Sequence, residues 1–355
     1  MSTPQQLHDR VLAAAAGCGF DWAGVAGVGP APELAGFAAW MASGRAGEMH
    51  YLGRQDAEGR YLREAIGHAW PWARSVLCGA VVYNSLPPEA EHGGDGSRGW
   101  ISRYAWGDDY HQVLRQRLEC WAERLRETAG QPVRTALVVD TAPLAERAAA
   151  AQAGLGWQGK NTCLIHPQRG SFFFIGAILA DLELPPDAPL PDRCGSCTRC
   201  IEACPTQALT PYQMDASRCL AYLNIELRGP IPEPLRTPMG DNVLGCDICQ
   251  EVCPWNRRAP ATADAAFQPR PGLLAPLLAE LAALTEAEYR QRFRRSAVQR
   301  AKFAGLRRNV AIAMGNSGEP GHAAQLADWA ESPDAVLAEA AAWALHRLRR
   351  ESDMM

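Results

Sequence analysis

The sequence predicts a mixed fold, α+β or α/β, in three parts: an α/β domain, a short cysteine-rich segment and an all-helical C-terminal domain. Strand-like and helical runs alternate through the first half of the chain, as they do in α/β domains. Eight of the twelve cysteines fall between residues 194 and 253. The remainder shows helical periodicity and no strand-like run. We place the three domains at residues 1–184, 185–260 and 261–355.

The first domain alternates short strands and helices. Apolar runs at 75–83, 136–139 and 171–182 predict strands. The spacing of apolar residues, and the glycines that end each run, predict helices at 5–17, 109–128 and 144–153. Prolines at 87–88 should end the first strand, with a glycine-rich loop at 91–99 and a linker at 185–191.

The last domain is predicted to be helical throughout. Its amphipathic runs lie at 273–284, 297–314 and 335–350. Paired helices without strands resemble a short helical-repeat domain of the HEAT type. Ordinary packing of two or three helices explains the same pattern, and both interpretations stay open.

Composition describes a well-packed soluble protein, with 47% hydrophobic and 21% charged residues. A net charge of −4 gives no global reason to expect nucleic-acid binding. No apolar run is long enough to span a membrane. The apolar stretch at 11–32 is broken by glycines, and no Arg-Arg pair precedes Arg257. We therefore expect no export signal, and a cytoplasmic, monomeric protein.

Two runs of cysteines form the most specific pattern in the chain. The first is C-x2-C-x2-C-x3-C-P and ends at Pro205; the second is C-x2-C-x3-C-P and ends at Pro254. Such runs wrap two [4Fe–4S] clusters in a ferredoxin-like segment, and the last cysteine of each run ligates the other cluster. The ligands expected for the first cluster are Cys194, Cys197, Cys200 and Cys253.

The second cluster is one ligand short within these runs. Cys204, Cys246 and Cys249 supply three thiolates, and Val243 stands where a fourth would be. Cys219 is the natural replacement and completes eight ligands for two clusters. Four-cysteine zinc sites also use C-x2-C pairs and are the alternative.

Four cysteines remain outside this scheme. We expect them to be small buried hydrophobic residues. A disulfide framework is not expected in a large chain without secretory context. These residues are Cys18, Cys78, Cys120 and Cys163.

Two further segments carry candidate polar groups. Asp140 ends a predicted strand, where α/β folds place their chemistry, although read alone it fits a turn or helix N-cap better. The segment GLGWQGKNT at 154–162 has two residues between Gly156 and Gly159, where a P-loop needs four. We exclude triphosphate binding, but this backbone and Lys160 could surround a large anionic or amide-bearing cofactor.

Basic residues are concentrated near the C-terminus. Residues 291–310 contain seven Arg or Lys residues and no acid. A positive face of this density favours binding to phosphates. The alternative is a solvated helix face that pairs with acids elsewhere in the fold.

Together these segments resemble the epoxyqueuosine reductase family, the cobalamin-dependent iron–sulfur enzymes of tRNA queuosine synthesis. The resemblance covers most of the chain. Its matching stretches are ISRYAWGDDYH (101–111), DTAPLAER (140–147), AGLGWQGKNT (153–162), the cysteine run 194–205, RCLAYLNIELRGPIP (218–232), GCDICQEVCPWN (245–256) and LRRNVAIAMGN (306–316).

The resemblance implies a cobalamin-binding α/β domain related to reductive dehalogenases, a two-cluster segment and a HEAT-like domain that helps to hold tRNA. It implies that Asp140 is the catalytic acid. The corrinoid contacts it implies are Arg63, Arg103, Asp140, Arg147, Lys160, Asn161, Thr162, Ser217, Val243, Leu244 and Gly245. The tRNA contacts we expect are Asn224, Arg294, Arg295, Arg300, Lys302, Arg307 and Arg308.

The implied reaction removes the epoxide oxygen of epoxyqueuosine in tRNA, consuming two electrons and two protons and giving queuosine and water. An external donor would feed the clusters, which pass single electrons to cobalamin. Asp140 must be neutral to donate a proton, so we expect burial by the corrin to raise its pKa. The rival functions are a corrinoid reductive dehalogenase, which usually carries a twin-arginine leader, and a bare electron carrier, which would not need the long segment before Cys194.

Overall fold

The computed structural model describes residues 3–85 and 96–352. The predicted proline stop at 87–88 lies outside the described residues, as does most of the predicted loop at 91–99. In the described part of the chain, no helix is both long and apolar enough to cross a membrane.

The first domain contains five helices and seven strands within its described residues. In chain order they are α1 (Pro4–Gly17), β1 (Trp22–Gly27), α2 (Phe37–Ala42), α3 (Ile66–Ala69), β2 (Ser75–Val82), β3 (Trp100–Ile101), α4 (Tyr110–Ala129), β4 (Thr135–Val138), α5 (Glu146–Gln152), β5 (Trp157–Gln158), β6 (Leu164–Ile165) and β7 (Phe173–Ala180).

Four of these strands form one sheet in the order β1-β2-β7-β4, and each neighbouring pair is antiparallel. Successive side chains of a strand point to opposite faces. Leu77 of β2 therefore packs with Trp121 of α4, whereas Val76 and Cys78 pack against the alanines of α5. Because helices cover both faces of the sheet, the side chains of β2 and β7 are apolar on both faces, and apolar and polar residues do not alternate along these strands.

The predicted helices at 5–17 and 109–128 and the strands at 75–83 and 171–182 are confirmed to within two residues. The predicted strand at 136–139 begins one residue earlier, at Thr135. The predicted helix at 144–153 begins two residues later. Strand β1 was missed, because its sequence WAGVAG has a single β-branched residue and two glycines.

Two of the four leftover cysteines are not free thiols. Cys18, which ends α1, forms a disulfide with Cys120 of α4. The two helices pack together, and Trp121 donates its indole N–H to the carbonyl of Val11 at 2.9 Å. The expectation that both cysteines are isolated hydrophobic residues is wrong, because helix packing brings together residues 102 positions apart. Cys78 is a buried free thiol, as expected.

The cysteine-rich segment is built from short elements, and five helices follow it. The first set is α6 (Arg199–Glu202), β8 (Leu209–Thr210), β9 (Gln213–Met214), α7 (Leu220–Ile225), α8 (Glu233–Arg236), β10 (Asn242–Leu244) and α9 (Ile248–Glu251). The second set is α10 (Leu278–Ala282), α11 (Glu286–Arg292), α12 (Lys302–Ser317), α13 (Ala323–Ala330) and α14 (Ala335–Ser352).

Of the predicted C-terminal helices, the one at 335–350 is confirmed as α14. The one at 297–314 begins as a 3-10 helix, Ala297–Ala301, before α12. The one at 273–284 is mostly wrong, since only Leu278–Ala282 is α-helical. Pro276 cannot donate a helical hydrogen bond, and Ala275 before it adopts a φ of 40°. The HEAT-like character of this part stays a prediction.

A single apolar core joins the second and third predicted domains. It contains Trp100 and Trp106 of the first part, Leu223 and Val243 of the cysteine-rich segment, and buried residues of α10 to α14. The predicted boundary at residue 260 is therefore not a boundary between cores. Helix α12 packs against α7 and β10, the elements beside two of the cysteine ligands.

Buried polar side chains of α12 fix this packing. Asn309, fully buried, donates its amide N–H groups to the carbonyls of Asn224 at 2.7 Å and Val243 at 2.9 Å. Arg308, 1% exposed, donates to the carbonyls of Leu223 at 2.6 Å and Leu227 at 2.8 Å. Three of these carbonyls lie in or just after the last turn of α7, and that of Val243 lies in the middle of β10, so α12 supplies donors that α7 and β10 do not provide themselves.

We predict that Asn309→Ala lowers the free energy of unfolding by about 2–3 kcal/mol, because it leaves two buried carbonyls without donors. Anaerobic denaturant titration of the cluster-loaded protein measures the change. Arg349→Ala, at an exposed site on α14, is the control and should change it by less than about 0.5 kcal/mol. Equal effects of the two substitutions would contradict the role given to Asn309.

Candidate active site and iron–sulfur centres

A cavity of about 1750 Å³ lies between the sheet domain and the cysteine-rich segment. Asp140, after β4, and Glu146 and Arg147, at the start of α5, line it together with Cys219 and Glu226 at the two ends of α7. Its volume exceeds the range of about 300–1,000 Å³ that is usual for small-ligand pockets. The cavity can therefore hold a macrocyclic cofactor together with part of a substrate.

Asp140 is held at the cavity wall by its backbone and by two neighbours on α4. Its φ of 59° lies in the left-handed region, which Asp tolerates better than most residues and which often marks functional positions. Tyr110 donates its hydroxyl to Asp140 Oδ2 at 2.7 Å. The Nε2 atom of His111 lies 3.4 Å from the same oxygen.

His111 lies between two carboxylates. Its Nδ1 atom is 2.8 Å from Asp109, the N-cap residue of α4. Burial opposes protonation of His111, but hydrogen bonds and charge from Asp109 and Asp140 raise its pKa to about 9. Both ring nitrogens face acceptors, so we assign the doubly protonated imidazolium.

Asp140 itself is ionised. Burial alone would raise the pKa of Asp140, but hydrogen bonds from His111 and Tyr110 and the charges of His111 and Arg147 lower it to about 2. Its side chain is 64% exposed because it faces the open cavity. In this arrangement the proton resides on His111, which the sequence does not place beside Asp140. The expected rise in the pKa of Asp140 refers to its burial by the corrin and stays a prediction.

Several polar atoms of the cavity wall lack partners among the described residues. Glu146 Oε1, Arg63 Nε and Trp157 Nε1 are buried without a hydrogen bond, and all three residues line the cavity. Burial and the charge of Asp140 raise the pKa of Glu146 to about 7. Unpaired donors and acceptors of this kind suit a cofactor that carries many amide groups.

The structure brings four of the predicted corrinoid contacts to the cavity. Arg63 donates to the carbonyl of Leu144 at 2.6 Å, and Arg147 donates to that of Thr162 at 2.8 Å. Thr162 has a φ of 63°, unusual for a β-branched residue. The four lining residues are Arg63, Asp140, Arg147 and Thr162.

The other predicted corrinoid contacts lie outside the cavity lining and support the cluster loops instead. Lys160 donates to the carbonyls of Gly195 at 2.6 Å and Cys197 at 3.1 Å. Asn161 donates to the carbonyl of Cys249 at 3.2 Å. Neither residue lines the cavity in this structure, and their assignment as corrinoid contacts stays a prediction.

Arg103 and the 243–245 turn also lie outside the cavity lining, and their assignment likewise stays a prediction. Arg103, 9% exposed, donates to Asn84 at 2.6 Å and pairs with Glu251 at 3.4 Å. Val243, Leu244 and Gly245 are buried beneath α12. The remaining residue, Ser217, donates its hydroxyl to Asp215 at 2.6 Å.

The thiols expected around the first cluster lie close together. Burial raises the pKa of Cys253 to about 11, and the nearby thiols of Cys194 and Cys200 add to the rise. The pKa of Cys200 is raised by burial and by Cys194 and Cys197. Cys253 thus joins the first run, as the crossing rule predicts.

The thiols expected around the second cluster form a separate group. Burial, with Cys219 and Cys204 nearby, raises the pKa of Cys246. The thiol of Cys249 lies near those of Cys246 and Cys219. The N–H of Ala208 donates to Cys204 Sγ at 3.3 Å. Cys219 is therefore placed to complete this ligand set.

A ninth thiol adjoins the second group. Cys163 hydrogen-bonds the thiol of Cys249, and its backbone N–H donates to Asn161 at 3.2 Å. The expectation that Cys163 is only a buried hydrophobic residue missed this contact. No spacing rule connects Cys163 to either run, so the sequence offered no signal for it.

The predicted tRNA contacts separate into exposed and buried residues. Arg294, Arg295, Arg300 and Lys302 are exposed. Arg307 is half-buried, with its guanidinium 4.9 Å from the ring centre of Trp329. Asn224 and Arg308 are buried, and they bond the backbone of the 243–245 turn and α7. Their assignment to tRNA is wrong because both are committed to internal hydrogen bonds.

Two domain families match this chain. Residues 63–141 match the family described as "Epoxyqueuosine reductase QueG, DUF1730". Residues 193–256 match the "4Fe-4S double cluster binding domain". The second match confirms the prediction of two [4Fe–4S] clusters in the cysteine-rich segment and argues against zinc.

Named relatives cover almost the whole chain. It is 38% identical to the epoxyqueuosine reductase of Xanthomonas campestris pv. campestris over 96% of both chains. It is 37% identical to that of Escherichia coli K12 over 89% of this chain and 84% of that protein.

Solved structures extend this similarity to the fold. An epoxyqueuosine reductase crystallised with an epoxyqueuosine-modified tRNA-Tyr stem loop superposes with a TM-score of 0.88 at 28% identity, over 99% of this chain and 94% of that one. The Streptococcus thermophilus enzyme gives a TM-score of 0.85 at 27% identity, over 96% and 90%. The chain therefore belongs to the epoxyqueuosine reductase family, whose members are oxidoreductases acting on tRNA.

Proposed function

We propose that this chain reduces epoxyqueuosine in tRNA to queuosine, with cobalamin in the large cavity and two [4Fe–4S] clusters supplying electrons. One observation carries this proposal. The cavity wall contains both the Asp140–His111 pair and Cys219, a ligand of the second cluster. A proton source and the end of an electron path thus meet in one cavity.

Cobalamin fits the donor set of this cavity. Arg63, Glu146 and Trp157 present buried polar atoms without partners, and Arg147 and Thr162 complete that wall. When bound and reduced, cobalamin supplies the strongly reducing chemistry that converts an epoxide to an alkene. The protein contributes binding, orientation and protons.

The proton path follows from the hydrogen bonds. The conversion takes up two electrons and two protons and releases the epoxide oxygen as water. His111 holds a proton between Asp109 and Asp140, and Asp140 faces the cavity. Asp140 can therefore pass the His111 proton to the departing oxygen, while the second proton comes from solvent through the open cavity.

The exposed basic residues near α12 are proposed to contact the tRNA backbone. Arg300 lines the cavity and forms a two-point ion pair with Glu226 at 2.9 and 3.0 Å. Arg294, Arg295 and Lys302 are exposed. We expect the enzyme to act in the cytoplasm, where its tRNA substrate is, as a monomer with an external electron donor.

We predict that Cys219→Ser removes the second cluster and leaves the first. Iron content should fall from about eight to about four atoms per chain. Cys163→Ser is the matched control, because Cys163 adjoins the same group but is not needed to complete it; it should keep about eight. Iron analysis and electron paramagnetic resonance of the reduced protein measure both. Full iron content in Cys219→Ser would refute the ligand assignment.

We predict that Asp140→Asn and His111→Gln each lower kcat by about a hundredfold or more, the usual contribution of a positioned acid. Cobalamin binding, followed by absorption, should persist in both variants. Anaerobic turnover of epoxyqueuosine-containing tRNA with nucleoside analysis measures the rate. Full turnover by Asp140→Asn would remove Asp140 from this role.

The pKa values of His111 and Asp140 determine the direction in which kcat changes with pH. Because the pKa of His111 is raised, the stabilisation from its ion pairs is complete below about pH 6.5 and is lost as the pH rises through about 9. Because the pKa of Asp140 is lowered, the stabilisation from its ionised carboxylate is lost only as the pH falls through about 2. We expect kcat to fall above about pH 9. In Asp140→Asn, NMR titration should show a lower pKa for His111; an unchanged value would contradict the pairing.

We predict that Arg294→Glu with Arg295→Glu weakens tRNA binding about tenfold or more at low salt and reduces its salt dependence. The cluster spectrum should not change. Arg115→Glu with Arg124→Glu, at exposed positions on α4, is the control of equal charge. Equal affinity of the two double variants across a salt series would refute a tRNA contact at this site.

A further inference from the structure

We infer that the surface around the first cluster docks an acidic protein that carries single electrons at low potential. The inference rests on the proposed function only in that the clusters are filled from outside. It concerns where electrons enter the protein.

The first cluster lies at the surface and the second lies inside. Gly195, Ser196 and Thr198, between the ligands of the first run, are exposed. In the second group, Asp247 beside Cys246 is 1% exposed, and Cys219 faces the cavity. Electrons from outside therefore reach the first cluster before the second.

Exposed arginines surround the ligands of the first cluster. Arg193 adjoins Cys194, and Arg199 adjoins Cys200, each one Cα step of about 3.8 Å away. Arg257 and Arg258 follow the short 3-10 helix after Cys253. All four arginines are exposed, and none forms an ion pair with any residue that the structure describes.

Acids near this ring offset only part of its charge. Asp192 accepts from the backbone N–H of Cys194 at 2.7 Å and from the Tyr212 hydroxyl. Glu202 accepts from Thr198. Lys160 adds a further positive charge, although its ammonium is held by Gly195 and Cys197. The four arginines still outnumber these two acids, in a chain whose net charge is −4.

A positive ring around an exposed redox centre attracts a negative partner and orients it. Electrostatic complementarity raises association rates steeply at low salt, and redox encounters use small, transient interfaces. The partner must itself deliver single electrons, because each cluster accepts one at a time. A tRNA is also negative, and the cavity wall extends to Asp192, the neighbour of Arg193. Binding of tRNA to these arginines is therefore the alternative that the test must exclude.

The test compares two pairs of adjacent, exposed arginines. The first variant is Arg257→Glu with Arg258→Glu; the control, with equal charge change, is Arg349→Glu with Arg350→Glu on α14. Both are prepared with two full clusters, checked by iron content and spectrum. Reduction of the clusters is then followed anaerobically by stopped-flow absorption, without tRNA or cobalamin. The probes are a reduced acidic plant-type [2Fe–2S] ferredoxin and the methyl viologen radical cation.

We expect the first variant to lower the second-order rate constant with ferredoxin about tenfold at low salt, with the difference vanishing at high salt. Its reduction by methyl viologen, a small cation, should be as fast as or faster than that of the unaltered protein. The control should match the unaltered protein with both probes. Arg193→Glu with Arg199→Glu should repeat the first result.

Three outcomes would overturn the inference: an unchanged rate with ferredoxin, equal slowing with both probes, or weakened tRNA binding with normal reduction. The second outcome indicates a damaged cluster and the third an RNA site. Failure of the proposed function would appear separately, as cluster reduction without conversion of epoxyqueuosine in tRNA.

Discussion

The structure depends on the hydrogen bonds that hold the ligand loops of the second cluster together. The four ligands come from three separate stretches of chain, at 204, 219 and 246–249. The side chain of Asn224, in α7, bonds both the N–H and the carbonyl of Gly245 at 2.8 and 2.9 Å. Gly245 has a φ of 70°, and a Cβ there would lie 2.4 Å from that of Ser102. This clamp fixes Cys246 relative to Cys219.

The C-terminal helices are part of this clamp and not an added module. Asn309 in α12 bonds the carbonyls of both Asn224 and Val243, and Asp247 ties the same loop to Ser102 at 2.6 Å. Hydrogen bonds therefore join the cavity wall, the cysteine-rich segment and the C-terminal helices. Cys219, the residue predicted to complete the second cluster, is thereby placed in the cavity wall.

The sequence predicts a feature when its chemistry requires a fixed spacing of residues. It does not predict a feature that depends only on how distant segments of the chain pack together. Cysteine spacing predicted the two-cluster segment, which the family match confirms, and continuous apolar runs predicted β2 and β7. Charge patterns could not reveal that Arg308 is buried. An arginine in the sequence looks the same whether its guanidinium donates to buried carbonyls or faces RNA. The ionised state of Asp140 depends on His111, which lies 29 residues away on another element. The hydrogen bonds of Lys160 and Asn161 to the cluster loops could not be predicted, because they join segments far apart in the sequence.

The central claim is that α12 holds the second cluster specifically. Mössbauer spectroscopy of 57Fe-enriched Asn309→Ala protein, recorded before and after reduction, tests it most directly because the method counts both clusters in one sample. In cluster-loaded Asn309→Ala protein, at a denaturant concentration that leaves the unaltered protein intact, the second cluster should be lost while the first stays at full occupancy. Equal retention of both clusters, or equal loss of both, would contradict it.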